Sequence, residues 1–321
     1  MEHVKNNINY KKKVNMGDNL NDKDYKSMIK KKNDSIYKNE NINEKIFIID
    51  GNSIICRYFY GIPERKSPDG ININGVFGFA KFLMSFFREK LFLEVLPIKI
   101  IVCFDKARNN FRKEIASNYK QNRSPFPENF FHQMNLCEEM CNYFNIPVDF
   151  HDRYEADDLI ASYCHRFKKP NTHIVVLSND KDLLQLVSNK NNIIVYNVAK
   201  KLYFNEEEVK NTLSVLPHQI PEFLAISGDA SDNISGIFKV GPKTAAKLLE
   251  KYENLENIIK SQEGIKTDFS MARFFLQLTL LYKEAPLQHS IVKFYHLPYN
   301  QIIEYFNRYN FQDLVKYLEP N

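Results

Sequence analysis

The 321-residue chain has no run of the roughly 18 apolar residues that a membrane-spanning helix needs, and it lacks the apolar N-terminal segment of a secretory signal. These absences predict an intracellular protein without membrane contact and leave nucleus, organelle and cytoplasm open. Cysteine is scarce. Cys56, Cys103, Cys137, Cys141 and Cys164 form no CxxC pair and no Cys/His array at zinc spacing, so reduced thiols are expected and structural zinc is not. No GxxxxGK[ST] segment exists, so Gly75 and Gly78 do not make a nucleotide loop. The eight histidines are scattered, with no Ser–His–Asp order. A net charge of +5 is only mildly basic and does not by itself identify a nucleic-acid ligand.

With 44% hydrophobic and 26% charged residues, the chain can bury one sizeable core and carry a second, smaller domain. Residues 1–44 are rich in Lys and Asn, including Lys11-Lys12-Lys13 and Lys30-Lys31-Lys32, and show no sustained apolar periodicity. Such a composition predicts a disordered tail. Beyond it, four apolar runs read as buried parallel strands: KIFIIDG from Lys45, IKIIVCFD from Ile98, IPVDF from Ile146 and HIVVLSND from His173. Helical patterns cover Val76–Leu91 and Glu128–Phe144. Strands alternating with helices predict an α/β fold with a doubly wound, mostly parallel sheet whose ligands sit beyond the strand carboxyl ends. From about Pro217 the pattern is helical without further convincing strands, which predicts a helical C-terminal domain.

Acidic residues gather where such a sheet collects its loops. Asp50, Asp105 and Asp180 follow strands; Asp182 lies two residues on, with both side chains pointing the same way if the segment is extended. Glu155, Asp157 and Asp158 crowd the YEADD segment, and Asp229 and Asp232 lie one helical turn apart in GDASDN. One by one these are ordinary helix-start and turn residues. Together they are nine carboxylates that repel one another unless cations intervene. Hard oxygen donors without His or Cys select Mg2+ or Mn2+, and their number suggests two ions, the arrangement that clamps attacking and leaving oxygens in phosphodiester hydrolysis.

The segments FIIDG, GVFGFA, VCFD, FRKEIASNYKQNRSPFP, YEADD, SNDKDL, SGDASDNISG and VGPKTAAKLL, in this order, resemble the 5′-nuclease domain of bacterial DNA polymerase I, within the flap endonuclease superfamily. The resemblance runs from about Ile46 into the late 280s, with no polymerase domain following, as in a free-standing 5′-nuclease. It implies a PIN-like nuclease domain over 45–214, with a helical arch at about 106–127. It also implies a SAM-like helical DNA-binding domain over 215–321, with a helix-three-turn-helix at about 220–252. Asp50, Asp105, Glu155 and Asp157 would surround one metal, with Asp158 close by, and Asp180, Asp182, Asp229 and Asp232 would serve the other. Tyr119, Lys120 and Arg123 match catalytic arch residues, with Tyr119 stacking on a displaced base and Lys120 meeting the scissile phosphate. Arg57, Arg112, Lys113, Lys239, Gly241, Lys243, Thr244 and Lys247 would contact DNA.

The residues themselves support a nucleic-acid reading. Between Asp105 and Pro125, Lys106, Arg108, Arg112, Lys113, Lys120 and Arg123 oppose the single acid Glu114, with Phe111 and Tyr119 interleaved, a pattern suited to a single strand or else to a solvated helix face. Gly241 and Pro242 open a helix whose free N–H groups can meet phosphate. Lys239 stands where the family has the first glycine of a Gly-x-Gly turn; it is strained if that position needs a positive φ, and it weakens the implied potassium ion there. The expected activity is a structure-selective DNA 5′–3′ exonuclease and flap endonuclease of replication and repair, monomeric, acting on 5′ flaps, nicks, 5′ ends and RNA primers. A non-catalytic junction binder and an RNA-directed nuclease on the same scaffold are the alternatives.

Overall fold

The computed structural model describes residues 42–88, 98–107, 110–261, 268–291, 293–294, 297–316 and 318. The tail expected over residues 1–44 falls outside these except at its last three positions, where Glu44 already belongs to the first strand. Arg108 and the end of the Val76–Leu91 expectation also lie outside the described residues.

The four apolar runs become strands β1 (Glu44–Asp50), β2 (Ile98–Cys103), β3 (Val148–Asp149) and β4 (Thr172–Leu177), followed by β5 (Ile193–Asn197), β6 (Leu202–Phe204) and β7 (Lys293–Phe294). The order across the sheet is β3-β2-β1-β4-β5-β6. Pairing is parallel from β3 to β5, antiparallel at β5–β6, and antiparallel where β7 joins the start of β2. β1 and β4 are buried along nearly their whole length, as strands covered on both faces must be.

The helices are α1 (Gly51–Gly61), α2 (Asn74–Arg88), α3 (Phe111–Ile115), α4 (Glu128–Tyr143), α5 (Ala156–Phe167), α6 (Glu206–Leu213), α7 (Ile220–Ser227), α8 (Pro242–Tyr252), α9 (Leu255–Lys260), α10 (Ala272–Thr279), α11 (Tyr299–Arg308) and α12 (Gln312–Val315). Phe79, Phe82, Phe86 and Phe87 of α2 are buried, with Phe47 of β1 meeting Phe86 edge-on at 5.1 Å. Leu159, Ile160, Tyr163 and Cys164 of α5 join Ile46, Ile48, Ile174 and Val176 of the sheet in one core. That core continues through Phe223, Leu224 and Ile226 of α7 to Leu249 of α8. The C-terminal stretch is therefore not helical throughout. It returns β7 to the sheet and lays α11 on α4, where the Tyr305 hydroxyl donates to the Leu136 carbonyl at 2.7 Å.

One consequence positions the site. β1 lies between β2 and β4: the chain runs from β1 to β2 and β3 on one side, then crosses back past β1 to β4 and β5 on the other. The carboxyl ends of β1, β2 and β4, which carry Asp50, Asp105 and Asp180, stand side by side at this switch point. Among the described residues, no helix is long and apolar enough to cross a membrane.

Candidate active site

Asp50 ends β1 and caps α1. One oxygen accepts the Ser53 N–H at 3.0 Å and the other the Ser178 hydroxyl at 2.5 Å. Asp105 is set by the Asn52 side chain, which accepts its N–H at 2.8 Å, and its own carboxylate accepts from Ala107 at 3.1 Å. Asp180 accepts the Asp182 N–H at 2.9 Å. Asp157 lies in the first turn of α5, where the helix's positive end offsets some of its charge.

Burial and the repulsion of neighbouring carboxylates leave Asp50, Asp105, Asp157 and Asp182 reluctant to ionise. Burial, reinforced by Asp180 and Asp105, pushes Asp50 up to about 7 against the hydrogen bonds from Ser178 and Ser53. Burial and Glu155 push Asp105 up to about 6. Burial and Asp180 push Asp182 up to about 7. Asp157 is raised well above its ordinary value by burial, Asp180 and Asp50. Each shift names another carboxylate among its causes, so the five acids share one electrostatic space.

The remaining acids are held by basic side chains. Glu155 accepts from Lys120 at 2.5 Å, Arg112 at 3.3 Å and the Tyr119 hydroxyl at 3.2 Å. Burial opposes its ionisation, but Lys120 and Arg112 outweigh burial and hold its pKa below the ordinary value. Asp232 accepts from the Tyr119 hydroxyl at 2.9 Å and from Arg123. Asp229 accepts from Lys181 at 2.5 Å, and Lys181 also reaches Asp182 at 2.9 Å.

Several sequence expectations require correction. Arg112, expected at the DNA surface, is 1% exposed. Its guanidinium forks onto Asp158 with two 2.7 Å bonds and donates to the carbonyls of Leu278 and Leu280 at 3.0 and 3.1 Å. Asp158, expected near a metal, spends both oxygens on Arg112, on the Tyr282 N–H at 2.9 Å and on the Glu155 N–H at 3.2 Å. This pair joins α5 to the α3 segment and to the strand-like exit of α10. Tyr119, expected to stack on a base, is 3% exposed with its hydroxyl between two carboxylates.

Among the described residues of the expected arch there is one five-residue helix, Phe111–Ile115, capped by Asn110. The turn after it docks on the 229–233 loop: the Lys120 N–H donates to the Asp232 carbonyl at 3.0 Å, Arg123 to Ser231 at 3.0 Å and Asn233 to Asn118 at 2.7 Å. The space enclosed by Tyr119, Glu155, Asp157, Asp182, Asp229 and Asp232 is only about 10 Å3, no more than one water requires.

Two local geometries also differ from expectation. The residues after β4 are not extended: Lys181 has φ −73° and ψ −25°, and a 3-10 turn begins at Asp182, which brings Lys181 to the side of its neighbours. Asp229 and Asp232 do not lie on one helical turn: Asp229 is extended and caps a short 3-10 turn, and the Ser231 hydroxyl between them bonds Asp229 at 2.7 Å and reaches Asp232 at 3.4 Å, while their basic partners differ. That loop depends on two glycines. Gly228 and Gly236 have φ +80° and +69° and cross so closely that a Cβ on Gly236 would lie 2.2 Å from the Gly228 nitrogen.

The donor set facing the strand ends suits a hard divalent ion, since it is carboxylate throughout. Among the described residues, no group of three or more His, Cys, Asp or Glu already forms a metal-holding set. Lys120, Arg123 and Lys181 instead supply positive charge. Lys181 is not visible as a site residue in the sequence, because alternation in an extended segment puts it on the face opposite Asp180 and Asp182.

Further out, Gly241 caps α8 and Pro242 opens it, with Lys243, Thr244 and Lys247 exposed. Lys239 has φ +63°, so its turn does require the positive φ that its side chain resists. It lies beside Phe238, which is 79% exposed. Arg57 and Lys113 are exposed.

A family model described as the 5′-3′ exonuclease N-terminal resolvase-like domain matches residues 45–214, and one described as the 5′-3′ exonuclease C-terminal SAM fold matches residues 215–301. The chain is 33% identical over 250 residues to the 5′-3′ exonuclease of Aquifex aeolicus, covering 78% of this chain and 81% of that protein. It is 36% identical over 229 residues to DNA polymerase I of Caldicellulosiruptor bescii, covering 70% of this chain but 26% of that protein, so the chain spans about a quarter of that relative's length. Among solved structures, T5 5′-exonuclease with bound divalent metal ions (zinc) aligns with TM-score 0.57 and 19% identity over 85% of this chain and 91% of that one. The catalytic core of Rad2 in complex with DNA substrate aligns with TM-score 0.55 and 12% identity over 87% of this chain and 93% of that one. At these identities the two structures establish likeness of fold.

Proposed function

The chain belongs to the 5′-3′ exonuclease family, and from that premise we propose that it hydrolyses phosphodiester bonds at the 5′ ends, nicks and 5′ flaps of DNA in replication and repair. The observation that carries this reading is the convergence of Asp50, Asp105, Asp157, Asp180 and Asp182 beyond adjacent strand ends, several with pKa values raised by burial and by neighbouring carboxylates. Two Mg2+ or Mn2+ ions among these oxygens would neutralise the repulsion, lower the pKa of an attacking water and stabilise the leaving 3′ oxygen.

The chain's own residues do the rest. Asp50, Asp105, Glu155 and Asp157 would hold one ion, and Asp180, Asp182, Asp229 and Asp232 would serve the other, in part through water. Lys120 and Arg123 exchange their carboxylate partners, Glu155 and Asp232, for the phosphate as DNA enters, so they favour the reaction only to the degree that they bind the transition state more tightly than the substrate. Tyr119 holds Glu155 and Asp232 in one relation, and the Arg112–Asp158 pair keeps the Glu155 end of α5 in place. The exposed Lys243, Thr244 and Lys247 at the start of α8 meet duplex phosphates without reading bases, joined by Lys239, Arg57 and Lys113. Lys239 supplies a cation at the turn where a potassium ion is implied. The protein acts as a monomer, and RNA primers are cut as well as DNA.

The test uses matched flap, nicked, blunt and RNA-primed substrates, each with Mg2+ and with chelator. Cleavage in Mg2+ alone, leaving a 5′ phosphate and a 3′ hydroxyl, is the expected result. Tight junction binding without cleavage would replace this reading with that of a binding protein.

A further inference from the structure

Building on the metal positions read above, we propose that Lys181 is a resident counter-cation of the second position: its ammonium ties Asp182 to Asp229 and must be displaced before a divalent ion enters. The geometry leaves little alternative. Asp229 has one oxygen committed to the Ser231 N–H at 3.0 Å and the Ser231 hydroxyl at 2.7 Å, so the oxygen it has to offer is the one Lys181 occupies at 2.5 Å. Lys181 holds an oxygen of Asp182 at 2.9 Å in the same grip. An ammonium bound to that oxygen repels a divalent ion drawn to the same atom, so the two compete.

Displacement is easy for Lys181. Its side chain is 47% exposed, whereas that of Asp229 is 6% exposed, so the lysine swings into water while the carboxylate stays. The local backbone explains why a lysine between two acids reaches their side at all. The helical conformation of Lys181, with the Asp182 N–H bound to Asp180, turns the segment before its first 3-10 turn. Lys181 thus neutralises the metal-free protein and sets how tightly the second ion binds.

Calorimetric titration of Mn2+ into the chelator-stripped full chain tests this. In Lys181→Met, one of the two binding steps should tighten about tenfold while the other moves by less than about twofold. Lys181→Arg, which keeps the cation, should stay near wild type. Lys190→Met, which removes a charge from an exposed turn, should leave both steps unmoved. Should Lys181→Met not fold without metal, Lys181→Gln carries the same expectation. Unchanged binding in the neutral variants, or equal tightening in Lys190→Met, would overturn the proposal. Wild-type protein that takes up no Mn2+ would overturn the metal-site reading, and the inference with it.

Discussion

The two halves of the acidic site differ in what faces them. Asp50, Asp105 and Asp157 are set by the sheet and by the helix that leaves it, and neighbouring carboxylates, Asp180 and Glu155 among them, raise their pKa values. Glu155, Asp158, Asp229 and Asp232 face Lys, Arg and Tyr side chains at hydrogen-bonding distance. The first half keeps strain that a metal ion relieves; the second has relieved its own with side chains, some buried for good and some free to leave. Arg112 cannot leave, because the protein closes over it, whereas Arg123 and Lys181 are about half exposed. Placement within the fold thus separates structural cations from exchangeable ones.

The largest expected effect comes from removing charge in the bare half. Asp50→Asn combined with Asp157→Asn should lower single-turnover cleavage by about 1,000-fold or more while leaving flap binding within a few-fold of wild type. The pair should also raise the metal-free melting temperature at alkaline pH, where the wild-type carboxyls ionise against their neighbours. A variant that cleaved normally would show that the bare half is not where the chemistry occurs.

In the paired half, Arg112→Met strands Asp158 as a buried charge and should cost about 3–5 kcal/mol in urea unfolding. Replacing Asp158 with Leu in the same chain should recover most of that loss. A loss under about 1 kcal/mol, with DNA binding reduced instead, would return Arg112 to the DNA surface that the sequence suggested.

The halves should also separate by pH. A carboxyl whose pKa is raised from 3.8 to about 7, as for Asp50 and Asp182, binds its proton more tightly folded than unfolded. Between those limits the folded state carries more protons, so metal-free stability should fall as pH rises from about 4 to about 7. Mg2+ should then raise the melting temperature more at pH 8 than at pH 5.5. Glu155 and Asp229, with lowered pKa values, work in the opposite sense below about pH 4.5. Melting curves with and without Mg2+ across this range check both signs.

Much of the frame was legible in the sequence. KIFIIDG, IKIIVCFD and HIVVLSND are long enough apolar runs to declare buried strands, and the Asp at each end fell where the sheet gathers its loops. The strands at Ile193–Asn197 and Leu202–Phe204 escaped because short runs amid Asn and Lys resemble surface turns, and Lys293–Phe294 offers only two residues of signal. Arg112 could not be read correctly because a buried arginine differs from an exposed one only through its partner, Asp158, 46 residues away. Alternation misled at Lys181 because it presumes an extended backbone, which the Asp180 side chain interrupts by accepting the Asp182 N–H.

The smallest effect lies far from either half. Lys239→Gly removes a side chain from a positive-φ turn and should change stability by less than about 1 kcal/mol, the relief being offset by unfolded-state entropy. It should also reduce the salt slope of duplex binding by about one phosphate contact.

The most direct measurement of the central claim is anomalous diffraction from crystals grown in Mn2+. Two peaks are predicted: one among Asp50, Asp105, Glu155 and Asp157, and one against Asp180 and Asp182, with the Lys181 ammonium moved off Asp229. Carboxylates still paired with Lys120 and Lys181, and no anomalous density between them, would contradict it.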